Sequence, residues 1–218
     1  MYRYTEIIKT IRTIAPQAHI AGGAVRDTIL DKPIHDIDVF MDDEHVEEAA
    51  RLLRSRLGFV KVGEWKQYLG FSDPAMTRVA KFEKAEETIP LCIIGLKSQY
   101  MAPEDNIGRF DFGVCMAAFD GENVIRADEF RDDVDNQTFT LCRADNIEQF
   151  NYSMERYRKI TAGRYSGWAL RIPSEFKDYA MDHTFRRYWY EDHESGNYAR
   201  KGFSGGENAL RPKERVLA

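Results

Sequence analysis

Cysteine and proline are scarce in this chain of 218 residues, which contains 3 cysteines and 7 prolines. Cys92, Cys115 and Cys142 form no C-x-x-C pair, which argues against both a disulfide framework and a zinc knuckle. No apolar run approaches the ~18 residues that a membrane helix needs. The first residues also lack the unbroken apolar stretch of a secretory signal. We therefore expect a cytoplasmic protein that does not associate with membranes.

The composition is that of a globular protein, with 43% hydrophobic and 31% charged residues. The formal net charge of -5 is unevenly distributed. Residues 1–142 carry 17 Lys and Arg against 25 Asp and Glu, whereas residues 143–218 carry 14 against 11. The acidic front suits a cation-binding site, and the mildly basic rear suits contact with phosphate.

Hydrophobic periodicity predicts an α+β (mixed α/β) chain. Isoleucines at helical spacing predict a helix over 4–14, and residues 44–58 read as an amphipathic helix that stops at Gly58. Alternating runs predict a strand over 34–41 and several partly antiparallel strands over 59–141. Two long helices are expected over 147–170 and 173–193. The predicted divisions are a domain over 1–144, a helical segment over 145–193 and a flexible tail over 194–218.

The most informative stretch, His19 to Met41, reads HIAGGAVRDTILDKPIHDIDVFM. A short strand ends at Gly22 and Gly23, which let a phosphate approach the backbone closely at the start of a helix. Arg26 follows on the first turn of that helix. It is expected either to bind a phosphate oxygen with its guanidinium or to pair with Asp27.

Asp36 and Asp38 are expected on one face of the next strand, because side chains two residues apart point the same way. Two carboxylates on one face repel each other unless a cation lies between them. Mg²⁺ prefers oxygen ligands and completes its shell with water or substrate phosphates. Two such ions about 3.5–4 Å apart can hold an attacking hydroxyl and a leaving pyrophosphate.

Taken singly, each of these features has an ordinary explanation. A Gly-Gly pair is a turn, a D-x-D pair is two solvated acids, and V-R-D is a helix start. Their combination within 23 residues favours a functional site instead.

The pattern G-G-x-V-R-D-x-x-L followed by D-x-D resembles the head-domain signature of class II CCA-adding enzymes and bacterial poly(A) polymerases, within the polymerase-beta-like nucleotidyltransferase superfamily. The resemblance implies a nucleotidyltransferase head with a mixed sheet flanked by helices, followed by a short helical neck. Only residues 145–218 follow the head, so we expect a trimmed version of the family. The matching positions are Gly22, Gly23, Val25, Arg26, Asp27, Leu30, Asp36 and Asp38.

Two further elements resemble the family with changes. The family's R-R-D-F strand motif corresponds here to Arg109-Phe110-Asp111-Phe112, which implies a third or supporting acid at Asp111 and a triphosphate contact at Arg109. The family's E-D-x-x-R helix motif, which reads the base of the incoming nucleotide, corresponds to residues 152–156. Arg156 matches and Lys159 continues the basic helix, but Tyr152 and Ser153 replace the two acids.

These observations predict a template-independent nucleotidyltransferase that transfers a nucleoside monophosphate from an NTP, ATP or CTP, to a hydroxyl. The metal is expected to be Mg²⁺ in a two-ion site held by Asp36 and Asp38, with Mn²⁺ as the alternative. The resemblance implies an RNA 3′ end as the acceptor. Two alternatives stay open: an enzyme that modifies a protein or small molecule, and a non-catalytic module that binds nucleotide or RNA.

Overall fold

The computed structural model describes residues 2–65, 73–85 and 87–180, together with the strands at 189–192, 197–200 and 215–217. The chain divides into two compact units, and it passes between them more than once. The first unit comprises Met1–Phe110 and Cys115–Ala127, and the second comprises Asp111–Val114 and Asp128–Ala218. Within the described residues, no helix is both long and apolar enough to cross a membrane.

The first unit is built on a seven-stranded mixed sheet, which confirms the predicted fold class. β2 and β5 run parallel, whereas every other pair of neighbours is antiparallel. The strands are β1 His19–Ala21, β2 Ile37–Asp42, β3 Val60–Trp65, β4 Met76–Lys84, β5 Glu87–Leu96, β6 Ala117–Phe119 and β7 Val124–Arg126. Their order across the sheet is β3-β4-β5-β2-β1-β6-β7.

Short helices surround this sheet. They are α1 Tyr2–Arg12, α2 Gly23–Ile29, α3 Val46–Leu52 and α4 Pro103–Ile107. The helix predicted over 4–14 is present as α1, and Ile7, Ile8 and Ile11 are buried as their spacing requires. After α3 a wider helical turn runs to Leu57, and Gly58 ends it in the left-handed region at φ +76°. That conformation explains why a glycine stops this helix.

The described residues of the second unit form a five-stranded sheet and three α-helices. Its elements are α5 Asp128–Asn136, β8 Thr138–Thr140, α6 Ile147–Thr161, β9 Ala169–Arg171, α7 Lys177–Ala180, β10 Trp189–Asp192, β11 Asn197–Arg200 and β12 Arg215–Leu217. The strand order is β10-β11-β12-β9-β8. Phe139 lies at the centre of an aromatic core, with the rings of Phe112, Tyr157, Tyr165 and Trp168 all 5.4–5.7 Å from it between centroids.

Several predicted elements differ from the structure. The helix predicted over 147–170 ends at Thr161, because the chain turns through Gly167 at φ +90° and enters β9. Of the helix predicted over 173–193, the described residues are helical in a 3₁₀ turn at Ser174–Phe176 and in α7. Residues 181–188 lie outside the described part, and β10 is a strand paired with β11.

Two other segments depart from the sequence patterns. Helix α5 was not predicted because it is mostly acidic and contributes only Phe130 and Asp133 to the buried interior. Strands β11 and β12 fall within 194–218, which the sequence predicted as a flexible tail, while the rest of that segment lies outside the described residues. The predicted limits of the head and neck stay a prediction.

Candidate nucleotide-binding site

The turn between β1 and α2 requires a glycine. Gly22 has φ +78° and ψ -133°, a conformation that side chains with a Cβ rarely adopt. Its N–H donates to the carbonyl of Ala117 at 2.9 Å, and its own carbonyl accepts from the N–H of Arg26 at 3.0 Å. A Cβ at this position would also lie 3.2 Å from Cε2 of Phe110. The turn is therefore held tightly by its backbone and by one aromatic ring.

The strand register brings the two predicted acids to the end of the sheet where this turn lies. β1 and β2 are antiparallel with Ile20 opposite Val39, so the C-terminal end of β1 lies beside the N-terminal end of β2. Asp38 is half-buried on β2, whereas Asp36 is exposed and directly precedes the strand, which begins at Ile37. The sequence pattern predicts a strand from residue 34 that contains both acids, whereas the strand begins three residues later, at Ile37.

Asp38 belongs to a row of side chains across three strands. Cys92 on β5 pairs with Asp38, and Lys81 on β4 pairs with Cys92, so all three project from the same face of the sheet. All three are half-buried. The rows on either side point to the opposite face and are buried: Ala80, Ile93 and Val39 in one, and Phe82, Leu91 and Ile37 in the other.

The charges along this row act on the Cys92 thiol. Its pKa is raised to about 12, first by burial and then by the negative charges of Asp38 and Asp36, with Lys81 opposing them. The thiol is therefore protonated at neutral pH. The same electrostatic coupling indicates that both carboxylates and the ammonium group lie near one small side chain.

Arg26 and Asp27 form a buried ion pair. Nε of Arg26 donates to Oδ1 of Asp27 at 2.8 Å, and Nη2 lies 2.7 Å from the same oxygen. Nη1 donates to Sγ of Cys115 at 3.3 Å, and the two charged side chains are only 2% and 3% exposed. Of the two expectations for Arg26, the pairing with Asp27 is therefore present in the structure, and a phosphate contact stays a prediction.

Arg109 is also engaged within the first unit. Its Nη2 forms an ion pair with Oδ1 of Asp73, and its guanidinium carbon lies 4.3 Å from the centroid of the Tyr100 ring. The side chain is 17% exposed, so a triphosphate contact requires it to leave Asp73 or to bind both groups. The role predicted for Arg109 stays a prediction.

Asp111, the predicted third acid, lies in the second unit and is occupied by two donors from α6. Oγ of Ser153 donates to Oδ2 at 2.9 Å, and Nη1 of Arg156 donates to Oδ1 at 2.5 Å. The two donors are three residues apart and so share one face of the helix. The sequence indicated Asp111 and Arg156 separately and missed that they pair. Lys159 is exposed on the same helix.

Two buried polar residues escaped the sequence analysis. His19 is fully buried, and its two hydrogen bonds fit the neutral ring: Nδ1 donates to the carbonyl of Gln17 at 3.0 Å while Nε2 accepts from the amide of Asn106 at 2.9 Å. Burial lowers its pKa to about 4. Asp133 is fully buried and accepts from Val114 N–H at 2.7 Å and from both Thr138 and Thr140. Neither role has a signal in the local sequence, because the partners are distant or backbone groups.

The donor set fits a hard divalent cation only in part. No group of three or more His, Cys, Asp or Glu within the described residues is arranged to hold a metal ion. Mg²⁺ is commonly bound by one or two carboxylates, with water and substrate phosphates completing its shell. Asp36 and Asp38 supply two carboxylates at the end of the sheet where the Gly22 turn lies, so they fit an ion whose remaining ligands come from water and a nucleotide.

Known proteins resemble this chain over most of its length. The sequence profile of the family described as "Gabija anti-defense 2 family protein" matches residues 2–137. A CCA-adding enzyme of Streptococcus agalactiae serotype V is 28% identical over 163 residues, which cover 73% of this chain and 39% of the relative. The chain thus spans about two-fifths of the length of this relative.

Solved structures show the same fold. The CCA-adding enzyme of Bacillus stearothermophilus in complex with CTP superimposes with a TM-score of 0.57 at 16% identity, covering 84% of this chain and 43% of that one. A tRNA-processing enzyme in an apo form gives a TM-score of 0.54 at 18% identity, covering 82% and 46%. These likenesses confirm the predicted nucleotidyltransferase fold.

Proposed function

The chain belongs to the Gabija anti-defense 2 family, and from that premise we propose that it is a divalent-metal-dependent nucleotidyltransferase. It transfers a nucleoside monophosphate from an NTP to a hydroxyl and releases pyrophosphate. The observation that carries this proposal is the position of Asp36 and Asp38 at the start of β2, at the end of the sheet where the Gly22 turn lies, with Asp36 exposed and Asp38 half-buried.

The residues of the first unit have separate roles in the proposed reaction. Asp36 and Asp38 would hold Mg²⁺, which when bound would lower the pKa of the attacking hydroxyl and offset charge on the leaving pyrophosphate. Gly22 and Gly23 allow the phosphates to approach the backbone. The buried Arg26–Asp27 ion pair braces the helix that follows the turn, and a phosphate contact at Arg26 stays a prediction. The hydroxyl oxygen forms a bond to the α-phosphorus as the α–β bridging bond breaks, and the hydroxyl proton passes to solvent.

An RNA 3′ end is the acceptor that the relatives favour. The relatives include a CCA-adding enzyme, and one solved neighbour is described as a tRNA-processing enzyme. The exposed Lys159 on α6 adds a positive charge that suits an RNA backbone.

One observation favours a second acceptor class, a protein or small molecule. Ser153 occupies a position at which the E-D-x-x-R motif of CCA-adding enzymes has an acid, and both Ser153 and Arg156 are hydrogen-bonded to Asp111. The helix face that corresponds to the base-reading face of those enzymes is therefore occupied here by contacts within the protein. The family description, which refers to counteracting a defence called Gabija, also suits modification of a component of that defence.

A labelling experiment distinguishes the RNA acceptor from the protein or small-molecule acceptor. The full chain is incubated with each of the four NTPs, labelled at the α-phosphate, together with tRNA lacking its terminal nucleotides or with protein from cells that carry the Gabija defence. Each reaction is run with Mg²⁺ and with a chelator. We expect label in the RNA only when Mg²⁺ is present.

The other outcomes each have a meaning. Label in protein with none in RNA supports the second acceptor. Nucleotide binding with no label in any fraction supports the non-catalytic module. Label that persists in the chelator, or in the Asp36→Asn/Asp38→Asn double variant, contradicts the proposed metal site.

A further inference from the structure

The three arginines that the sequence marked for nucleotide binding already have acidic partners. Arg26 pairs with Asp27 in the interior, Arg109 pairs with Asp73, and in the second unit Arg156 pairs with Asp111. A triphosphate carries several negative charges beyond those that an ion at Asp36 and Asp38 offsets. A further cation on the same sheet face would complete the binding site.

Lys81 is in the required position. Its place in the row with Cys92 and Asp38 puts its Cα two strand spacings, about 10 Å, from the Cα of Asp38. Cys92, between them, has a small side chain, so the flexible four-carbon stem of Lys81 can extend over it towards the acid pair. The rows on either side are buried on the opposite face, whereas Lys81 keeps 34% of its side chain exposed.

The Lys81 ammonium is charged and easily redirected. Nζ donates to Oε1 of Glu83 at 2.7 Å, and this hydrogen bond raises the Lys81 pKa. Glu83 is 54% exposed, so the pair is a surface contact that a multiply charged phosphate can replace. The influence of Lys81 on the Cys92 thiol, which also senses Asp36 and Asp38, agrees with this placement.

Resting on the proposed function, we propose that Lys81 is a nucleotide-binding residue that contacts the triphosphate of the NTP whose metal ion is held by Asp36 and Asp38. Its ammonium group leaves Glu83 and pairs with phosphate oxygens when the nucleotide binds. Lys81 thus sets the preference for a triphosphate over a monophosphate, because only the longer chain of phosphates presents charge to it.

Lys84 provides a matched control on the same strand. Lys81 and Lys84 are both 34% exposed, and Lys84 likewise pairs with an acid, Glu87, at 2.9 Å. Lys84 is opposite Glu87 near the turn between β4 and β5, outside the row that contains Asp38. Loss of charge or of a surface ion pair should therefore affect both variants equally, whereas loss of a phosphate contact should affect one.

The test is equilibrium binding of ATP, CTP and the corresponding monophosphates to the full chain in the presence of Mg²⁺. We expect Lys81→Gln to weaken triphosphate binding at least tenfold and monophosphate binding less than twofold. Lys81→Arg should keep triphosphate binding within about threefold of the wild type. Lys84→Gln should change neither triphosphate nor monophosphate binding. Circular dichroism confirms that each variant is folded.

The remaining outcomes separate the two proposals. If Lys81→Gln binds triphosphate as the wild type does, or loses mono- and triphosphate binding equally, Lys81 has no triphosphate role while the nucleotidyltransferase proposal stands. If the wild type binds no Mg²⁺-NTP, both proposals fail. If it binds NTP with the expected Lys81 dependence but transfers no nucleotide to any acceptor, only the proposed function fails.

Discussion

Two pairs of carboxylates, one pair in each unit, have opposite surroundings. In the first unit, Asp36 and Asp38 lie exposed and half-buried at the start of a strand, next to the thiol of Cys92. In the second, Asp111 and Asp133 are buried among donors, with an arginine on the former and backbone and threonine groups on the latter. A carboxylate saturated by protein donors stabilises a fold, whereas one facing solvent can bind a cation. The contrast explains why similar acidic residues are assigned different roles.

The largest expected effect comes from exchanging one acid of each kind. Asp38→Asn should reduce nucleotide transfer by about 10³-fold or more, because a metal ligand is lost, with little change in stability. Asp133→Asn should lower the free energy of unfolding by about 2–4 kcal/mol, because its amide would face hydrogen-bond donors, while the folded protein still transfers nucleotide. Urea unfolding and label incorporation measure the two effects. If Asp38→Asn and Asp133→Asn reduce nucleotide transfer equally, the distinction between a metal-binding and a structural carboxylate is wrong.

A buried acid within the first unit sharpens the comparison. Asp27 is 3% exposed and paired with Arg26. We therefore expect it to stabilise the fold, as the buried acids of the second unit do, although it lies in the first unit. Arg26→Met should destabilise the fold by about 3–5 kcal/mol, since it leaves a buried charge without its partner. The double variant Arg26→Met/Asp27→Leu should recover most of that loss in urea unfolding. A stable single variant that has lost NTP binding would instead support a phosphate contact at Arg26.

A buried neutral group predicts acid sensitivity. The His19 pKa is about 4 in the folded chain against 6.5 unfolded, so below pH 6.5 the unfolded chain binds a proton that the folded chain does not. Stability should therefore fall as the pH decreases from 6.5 to about 4, by up to about 3 kcal/mol. His19→Leu should reduce the slope of the free energy of unfolding against pH by the equivalent of about one bound proton.

The smallest expected effect concerns the backbone beside the acids. Gly22→Ala should destabilise the chain by about 1–2 kcal/mol, because φ is +78° and the new Cβ meets Phe110. It should also weaken NTP binding, since the turn must shift. Gly163→Ala is the matched control, because a methyl group added there would meet nothing within 4 Å. Thermal unfolding and nucleotide titration check both variants, and an equal response of the two would show that the turn tolerates a side chain.

Local patterns predicted the parts of the fold that depend on neighbours in sequence. The alternation of Ile37, Val39 and Met41 is matched by their burial on one face of β2, and the Gly22 turn lies where a glycine pair indicated it. The row of Lys81, Cys92 and Asp38 could not be predicted, because it depends on the register of three strands that are far apart in sequence. The same holds for the pairing of Asp111 with Arg156.

The interleaved path of the chain limits how the protein can be dissected. The backbone changes units after Phe110, after Val114 and again after Ala127. Phe112 bridges to Leu141 and Val114 donates to Asp133, so the four-residue segment 111–114 depends on residues that come later in the chain. A fragment ending at residue 127 would retain this segment without its partners, and no single protease cut yields both units whole. Expression of residues 1–127 or of residues 128–218 alone should therefore give insoluble material. Functional experiments should use point substitutions in the intact polypeptide.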